Sequence, residues 1–199
     1  MQLNLIEQPA SEIVTLGEAK NYLRIDHDFD DNLILNLIKS TREAIETTIQ
    51  KSIVKQTWEY KLDRESVSNF KPGNSSYPNI FCGVMRIPLP KPPIMKIILV
   101  EIDDREIDPK KYSLETINER FCLCLNDPKL FQNKRKISVR IIYETGISED
   151  PENIPYQLKL ANLMLVANAF QERFSYPQNG FVSQGVKRLL SPFLNLGVC

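Results

Sequence analysis

The chain has few of the residues on which catalytic and phosphate-binding sites depend. Its 199 residues include a single histidine, His27, and only seven glycines. A general base or a triad histidine would have to be His27, which stands in an aspartate-rich turn; we interpret it as a turn residue partnered by a carboxylate. The motifs Gly-x-x-x-x-Gly-Lys, Gly-x-Gly-x-x-Gly and Gly-x-Ser-x-Gly are absent from the sequence. Neither a phosphate cradle nor a nucleophile elbow is therefore indicated.

The chain also lacks a surplus of either charge. Its 25 lysines and arginines equal its 25 aspartates and glutamates, so the formal net charge is zero. Proteins that hold DNA tightly carry a basic excess, because their affinity comes from neutralising phosphates and releasing counterions. The balance disfavours a sequence-reading DNA binder. The short basic run Lys134, Arg135 and Lys136 keeps a nucleic-acid-binding module without catalytic activity open as the alternative function.

The four cysteines, Cys82, Cys122, Cys124 and Cys199, form no recognisable disulfide or metal framework. A Cys-x-Cys pair with one distant histidine is not a zinc pattern. On a strand, Cys122 and Cys124 would lie on one face about 7 Å apart, at the outer limit for a disulfide. We expect reduced thiols in a cytoplasmic protein, with no metal and no cofactor.

Long apolar runs and a targeting segment are missing as well. The most apolar region, residues 158–170, is too short for a membrane span and contains Lys159, Asn162 and Asn168. The N-terminus has neither a basic start nor a long apolar stretch, so we do not interpret it as a signal peptide. The sequence predicts no membrane partner.

Carboxylates are clustered in two places, and neither predicts a metal site. The turn at residues 26–31 holds four aspartates but lacks the glycine and the terminal glutamate of a calcium-binding EF-hand loop, so we interpret it as the acidic start of a helix. A further hypothesis for the function is an enzyme that uses carboxylates alone, in which Asp103 and Asp104 bind a metal ion. Adjacent side chains on a strand or at a turn diverge, which disfavours it.

Both ends of the chain show helical periodicity. Thr15 and Glu18 form a capping box that opens a short helix over residues 16–24. A second helix is predicted over residues 29–50, with Lys39, Arg42, Glu43 and Glu46 on its solvated side. Its core stripe is Leu33, Ile34, Leu37, Ile38, Thr41, Ile45, Thr48 and Ile49. Residues 158–170 predict a third helix, apolar on most of its circumference and therefore covered on several sides, in part by other subunits.

The middle of the chain changes to the period of two that is typical of strands. Residues 57–62 predict a half-buried strand with Trp58, Tyr60 and Leu62 facing inward. A second such strand is predicted over residues 136–144. Shorter strands are predicted at residues 97–102, 105–108 and 121–125. Residues 66–81 predict a long loop, and four prolines predict an edge or an extended connector; they are Pro88, Pro90, Pro92 and Pro93.

These patterns predict an α+β fold. Residues 12–50 and 154–194 would form a small helical bundle, and residues 53–145 would be a β-rich insertion into it. A tail segment, residues 175–199, would carry a short helix.

Taken in order, several segments resemble the head–tail connector (adaptor) family of tailed bacteriophages and prophages. The segments are Val14-Thr-Leu-Gly-Glu-Ala-Lys-Asn-Tyr-Leu-Arg24, Gln56-Thr-Trp-Glu-Tyr-Lys-Leu62, Arg86-Ile-Pro-Leu-Pro-Lys-Pro-Pro-Ile94, Ile141-Ile-Tyr-Glu-Thr-Gly146, Ile154-Pro155 and Val186-Lys-Arg-Leu-Leu-Ser-Pro-Phe193. The resemblance covers nearly the whole chain. It departs from the family at Thr145 and Ile147, where a small residue and an aromatic are common.

This resemblance implies a structural virion protein and not an enzyme. It would form a homo-oligomeric ring, often a dodecamer, between the portal protein and a downstream neck or tail-completion protein. DNA would pass through the channel without sequence-specific contacts, and assembly would take place in the host cytoplasm. We assign the oligomer interface to Leu160, Leu163, Met164 and Ala167. We assign portal docking to the tail residues Val186, Leu189, Leu190 and Phe193.

Overall fold

The computed structural model describes residues 1–64, 79–81, 84–117, 120–130, 137–172 and 183–194. These residues form helices and antiparallel sheets, which confirms the α+β class. The chain divides into two compact units. The strand unit comprises Met1–Gln8 and Gln56–Gly146, and the helical unit comprises Pro9–Lys55 and Ile147–Cys199.

The strand unit contains two antiparallel sheets. The five-stranded sheet has the order β1-β2-β9-β5-β6, with β1 at Gln2–Glu7, β2 at Gln56–Arg64, β5 at Ile94–Ile102, β6 at Arg105–Glu106 and β9 at Ile137–Thr145. The four-stranded sheet has the order β3-β4-β8-β7, with β3 at Asn79–Phe81, β4 at Val84–Pro88, β7 at Tyr112–Ile117 and β8 at Arg120–Leu125. The strand β9 is hydrogen-bonded to β2 on one side and to β5 on the other.

The period-two predictions hold in both central strands. Along β9 the odd-numbered residues from Ile137 to Tyr143 are buried, as are Tyr60 and Leu62 of β2, while Trp58 is partly buried. Met85 and Leu123 belong to the same apolar cluster, so one core receives side chains from both sheets. Packing of two inward faces is what the alternation requires.

Some strand predictions were incomplete or wrong. The strands β1, β4 and β7 were not predicted, and residues 79–81, predicted as part of a loop, form β3. The rest of that loop prediction, residues 66–78, lies outside the described residues. Pro88 closes β4, and Pro90, Pro92 and Pro93 lie in the connection from β4 to β5, as expected for residues that cannot donate to a ladder.

The helical unit contains α1 at Leu16–Leu23, α2 at Asp31–Ile49, α3 at Tyr156–Gln171 and α4 at Gln184–Leu190. The capping box is confirmed, because the backbone N–H of Glu18 donates to Thr15 Oγ1 at 3.1 Å and that of Thr15 donates to Glu18 Oε2 at 2.6 Å. The residues that cap the C-terminal ends of α1 and α2 are Arg24 and Gln50, which take left-handed φ values of 57° and 55°. The apolar faces of the four helices meet in one cluster. Ile34 and Ile38 of α2 and Ala161 and Leu165 of α3 contribute fully buried side chains to it.

The predicted solvated side of α2 is wrong at two positions, and Thr48, predicted in the core stripe of the same helix, is exposed. Arg42 is 2% exposed and Glu46 is 4% exposed. Arg42 Nε donates to Glu12 Oε2 at 2.7 Å and Arg42 Nη1 donates to Glu46 Oε2 at 2.8 Å. Glu46 Oε1 also accepts the backbone N–H of Ile53 at 2.8 Å. This side of α2 therefore fixes the segments that precede α1 and follow α2 through a buried ion network.

A polar contact joins α2 to α3 inside the same core. Asn162 is fully buried, and its Nδ2 donates to Thr41 Oγ1 at 2.9 Å and to the carbonyl oxygen of Ile38 at 3.3 Å. Since a buried amide needs its partners at fixed positions, this pair sets the register of the two helices.

Candidate assembly surfaces

The described residues that the sequence suggested as catalytic or metal-binding candidates, His27 and Asp103, make local structural contacts. In the described part of the chain, His, Cys, Asp and Glu side chains form no group of three or more that could hold a metal ion. His27 Nε2 lies 4.0 Å from Asp30 Oδ2, and its side chain is half exposed. Asp103 Oδ1 accepts the backbone N–H of Ser138 at 3.0 Å, so this carboxylate fixes the turn between β5 and β6. The basic run at residues 134–136 lies outside the described residues. None of the described helices is both long enough and apolar enough to span a membrane.

Cys122 and Cys124 are free thiols buried on β8. Burial raises the pKa of Cys122 and raises the pKa of Cys124 to about 11. A thiol with a raised pKa is a poor nucleophile and a poor metal ligand, because both roles use the thiolate. Cys82 and Cys199 lie outside the described residues.

The outer face of the five-stranded sheet carries a charged ladder centred on Glu59. Arg140 Nε donates to Glu59 Oε1 at 2.6 Å, and Asn4 Nδ2 donates to Glu59 Oε2 at 3.0 Å. Lys61 Nζ lies 3.1 Å from Glu59 Oε2, and Arg140 Nη1 donates to Glu101 at 3.0 Å. The hydrogen bonds from Asn4 and Arg140 lower the pKa of Glu59 to about 2. The ladder ties β1, β2, β9 and β5 together across the sheet.

Apolar side chains are exposed where two strands of this sheet, β1 and β5, have register shifts. Register shifts occur between Leu5 and Glu7 in β1 and between Ile94 and Lys96 and between Ile97 and Leu99 in β5. The residues skipped by these shifts are all exposed; they are Ile6, Met95 and Ile98. Such bulges interrupt the row of backbone hydrogen-bonding groups that an edge strand presents.

The predicted oligomer interface on α3 is exposed at one of its four residues. Leu160 is 41% exposed. Leu163 and Met164 are partly buried against the core of the helical unit, and Ala167 is partly buried. Tyr156 lies one helical turn before Leu160 and is 83% exposed, with Lys159 Nζ 5.5 Å from its ring centroid. The sequence analysis missed Tyr156, although its four-residue spacing from Leu160 places both on one side of a helix.

The predicted docking residues on α4 face the protein's own core. Val186 and Leu190 are fully buried, and Leu189 and Phe193 are partly buried against the same cluster. The exposed side of α4 carries Lys187 and Arg188. No aspartate or glutamate occurs between residues 183 and 194. A partner that meets α4 at its surface therefore meets a cationic helix, with the apolar side already covered.

The turn between α1 and α2 exposes an aromatic ring. Phe29, predicted to open the second helix, lies before it and is 94% exposed. Lys20 Nζ contacts Asp28 Oδ1 at 2.6 Å and Asp31 Oδ1 at 2.8 Å, which raises the pKa of Lys20 and lowers that of Asp28. The turn is thereby fastened to α1 on both sides of Phe29.

Comparison with known proteins identifies a family and several similar structures for this chain. The sequence profile of the head completion protein family matches residues 12–187. A chain in the neck of an empty gene transfer agent (GTA) particle computed with C6 symmetry has a similar structure, with a TM-score of 0.74 and 16% identity over 100% of this chain and 98% of that chain. A chain in the virion of a native GTA particle gives a TM-score of 0.74 and 15% identity over the same shares. A chain in the neck of a native GTA particle computed with C12 symmetry gives 0.69 and 13%, again over 100% and 98%. A comparison with curated proteins finds no match.

The family profile spans most of the chain, including all of α1, α2 and α3 and the whole strand unit from β2 to β9. The chain belongs to the head completion protein family, in agreement with the head–tail connector resemblance of its sequence motifs. The solved structures add that the fold itself, over its full length, is similar to chains of GTA necks and virions.

Proposed function

We propose that this protein is a non-enzymatic virion subunit that forms a ring between the portal and the tail or neck and extends the DNA channel at the capsid vertex. The observation that carries the proposal is the head completion profile over residues 12–187. The full-length similarity to chains from GTA necks with C6 and C12 symmetry supports a ring as the assembled form. The subunit would assemble in the host cytoplasm and remain in the virion, with the portal protein and a neck protein as its partners.

We further propose that the helical unit is the connector core and that the strand unit is inserted into it. The division of the chain supports this, because residues 9–55 and 147–199 fall into one unit and residues 56–146, together with the N-terminal residues 1–8, into the other, so every strand except β1 lies within the insertion. A closed ring needs two different contact patches on each subunit. The apolar strip of Tyr156 and Leu160 on α3 is one such patch, since exposed aromatic and aliphatic side chains with a four-residue spacing form a continuous contact.

Charge supports a passive role toward DNA. A channel that lets DNA slide must bind phosphates weakly, and the chain has a formal net charge of zero. On the outer face of the five-stranded sheet, Arg140 and Lys61 are both paired with the carboxylate of Glu59. Paired cations have less to gain from phosphate than unpaired ones.

The test is the native mass of the purified chain across a concentration series by light scattering, with negative-stain images of any large species. The expected result is a closed ring of about a dozen subunits, alone or on the cognate portal. Leu160→Asp should disrupt this ring, whereas Leu114→Asp on β7, the same substitution at another exposed leucine, should leave it intact. A chain that stays monomeric at every concentration and does not bind the portal would overturn the proposal.

A further inference from the structure

Phe29 has the exposure and the fixed backbone that are typical of an anchor residue in a protein–protein interface. It is 94% exposed, so its complete burial against a partner would remove a large apolar surface from water. Lys20 holds Asp28 and Asp31 on either side of it, and the backbone N–H of Asp31 donates to the carbonyl oxygen of Asp28. An anchor residue on a preorganised turn binds without the entropy loss of ordering a loop. Exposed, rigid aromatic residues are frequent hot spots of interfaces.

The side chains around Phe29 define the chemistry of its partner. Asp26 and Asp28 are exposed residues of the same turn, and the His27 ring lies 5.6 Å from the Phe29 ring, centroid to centroid. An aromatic face flanked by carboxylates suits a guanidinium or ammonium group, which stacks on the ring while it donates to the oxygens. A surface with arginine and lysine and without carboxylates is therefore the complement of this turn.

The helix α4 presents such a surface on the same molecule. Lys187 and Arg188 are exposed neighbours, and residues 183–194 contain no carboxylate. The apolar side of α4 is buried in its own unit through Val186 and Leu190, which fixes the cationic side outward. One chain thus carries two unlike and complementary patches, as a head-to-tail ring requires of every subunit.

We propose that the Phe29 turn of one copy docks on the exposed cationic side of α4 of the next copy, with the Arg188 guanidinium on the Phe29 ring and Asp26 as its carboxylate partner. This inference rests on the ring proposed above and names a contact that closes it. The formal net charge of zero means that copies approach one another without long-range repulsion, so local complementarity decides which surfaces meet.

The test is a charge exchange measured by the concentration at which half of the chain is in rings, using sedimentation velocity. Asp26→Arg and Arg188→Asp, each alone, should raise this concentration about five- to tenfold. The double variant should return to within about threefold of the wild type, because its two new charges face each other with the signs reversed. Phe29→Ala should raise the concentration about thirtyfold.

Matched controls separate this contact from other effects. Lys110→Glu and Leu114→Ala change exposed residues of the strand unit and should leave assembly unchanged. Circular dichroism should show equal thermal midpoints for all variants, and Arg188→Gln replaces Arg188→Asp if the latter fails to fold. If the wild type forms rings and the single variants match it, or if the double variant is not rescued, this inference is overturned while the ring stands. If the wild type forms no ring, alone or with the portal, the proposed function fails and the inference fails with it.

Discussion

Replacing Arg42 by methionine tests whether the buried ion network holds the helical unit together. The guanidinium is 2% exposed and lies 2.7 Å from Glu12 Oε2, 2.8 Å from Glu46 Oε2 and 3.6 Å from Glu43 Oε1. The pKa of Arg42 is raised, since these carboxylates outweigh its burial. Methionine keeps most of the side-chain volume and removes the charge.

The expected loss follows from what the substitution leaves behind. Glu46 is 4% exposed and would keep its hydrogen bond from the Ile53 N–H without a cation beside it. Removing one partner of a buried pair costs about 3–5 kcal/mol, because the other charge is left in a poorly solvated site. We expect Arg42→Met to lower the free energy of unfolding by about 3 kcal/mol, since Glu12, a quarter exposed, stays hydrated. In the double variant with Glu46→Gln the loss should fall by about half, because the glutamine carbonyl still accepts from Ile53.

The measurement is urea unfolding followed by circular dichroism at 222 nm, which reports on the four α-helices of the described chain, all in the helical unit. Glu43→Gln is the matched control, since Glu43 touches the same guanidinium but is exposed; its effect should stay within about 0.5 kcal/mol. A loss below about 1 kcal/mol for Arg42→Met, or a double variant less stable than the single one, would refute the reasoning.

Three further predictions follow from single sites. Folding lowers the pKa of Glu59 from its usual 4.5 to about 2, so its stabilisation is complete above pH 4.5 and is lost as the pH falls toward 2; Glu59→Gln should flatten the fall in stability between those values, and an unchanged pH profile would contradict the ladder. Because burial raises the pKa of Cys124 from 9.0 to about 11, iodoacetamide at pH 8 should modify Cys124 about a hundredfold more slowly in the folded than in the unfolded protein, as peptide mass mapping would measure. Cys122, whose pKa burial also raises, should likewise be modified more slowly after folding; equal rates would show that the thiols are accessible. Asp104 has a φ of 60° in the turn between β5 and β6, where glycine is unstrained, so Asp104→Gly should raise the midpoint of urea unfolding by the equivalent of about 0.5–1 kcal/mol, and a decrease would mean that the aspartate side chain is needed.

Local periodicity was sufficient to predict those helices and strands that pack through an apolar face and need no particular partner residue. The stripe of α2 and the alternation of β2 and β9 were predictable because each residue's side follows from its position in the repeat. The strand β1 has a weaker alternation and becomes a strand by pairing with β2, some 55 residues away, as in the register of Leu3 with Tyr60. Such a partner leaves no mark in a six-residue window.

Burial of charge was not predictable from the helix alone. Arg42 and Glu46 are spaced by four residues, which is typical of an exposed ion pair on a helix surface. They are buried beside segments outside α2: Arg42 binds Glu12, which precedes α1, and Glu46 accepts the backbone N–H of Ile53, which follows α2. In α4 the opposite problem arose: its apolar side was assigned to a partner from the sequence, and in the structure this side packs on the core of its own unit. Hydrophobicity indicates that a side is covered, and only the structure says by what.

The central position of β9 determines when the protein can begin to fold. The strand β9 is the last of the five to leave the ribosome, yet β2 and β5 both pair with it. Until residue 145 has been synthesised, neither of those strands has its principal neighbour, and the helical core lacks α3 for longer still. More than two thirds of the chain is therefore made before either unit can close, while β2 and β5 still lack the strand that joins them. Production of this protein should accordingly benefit from slow synthesis at low temperature or from added chaperones that cover those strands.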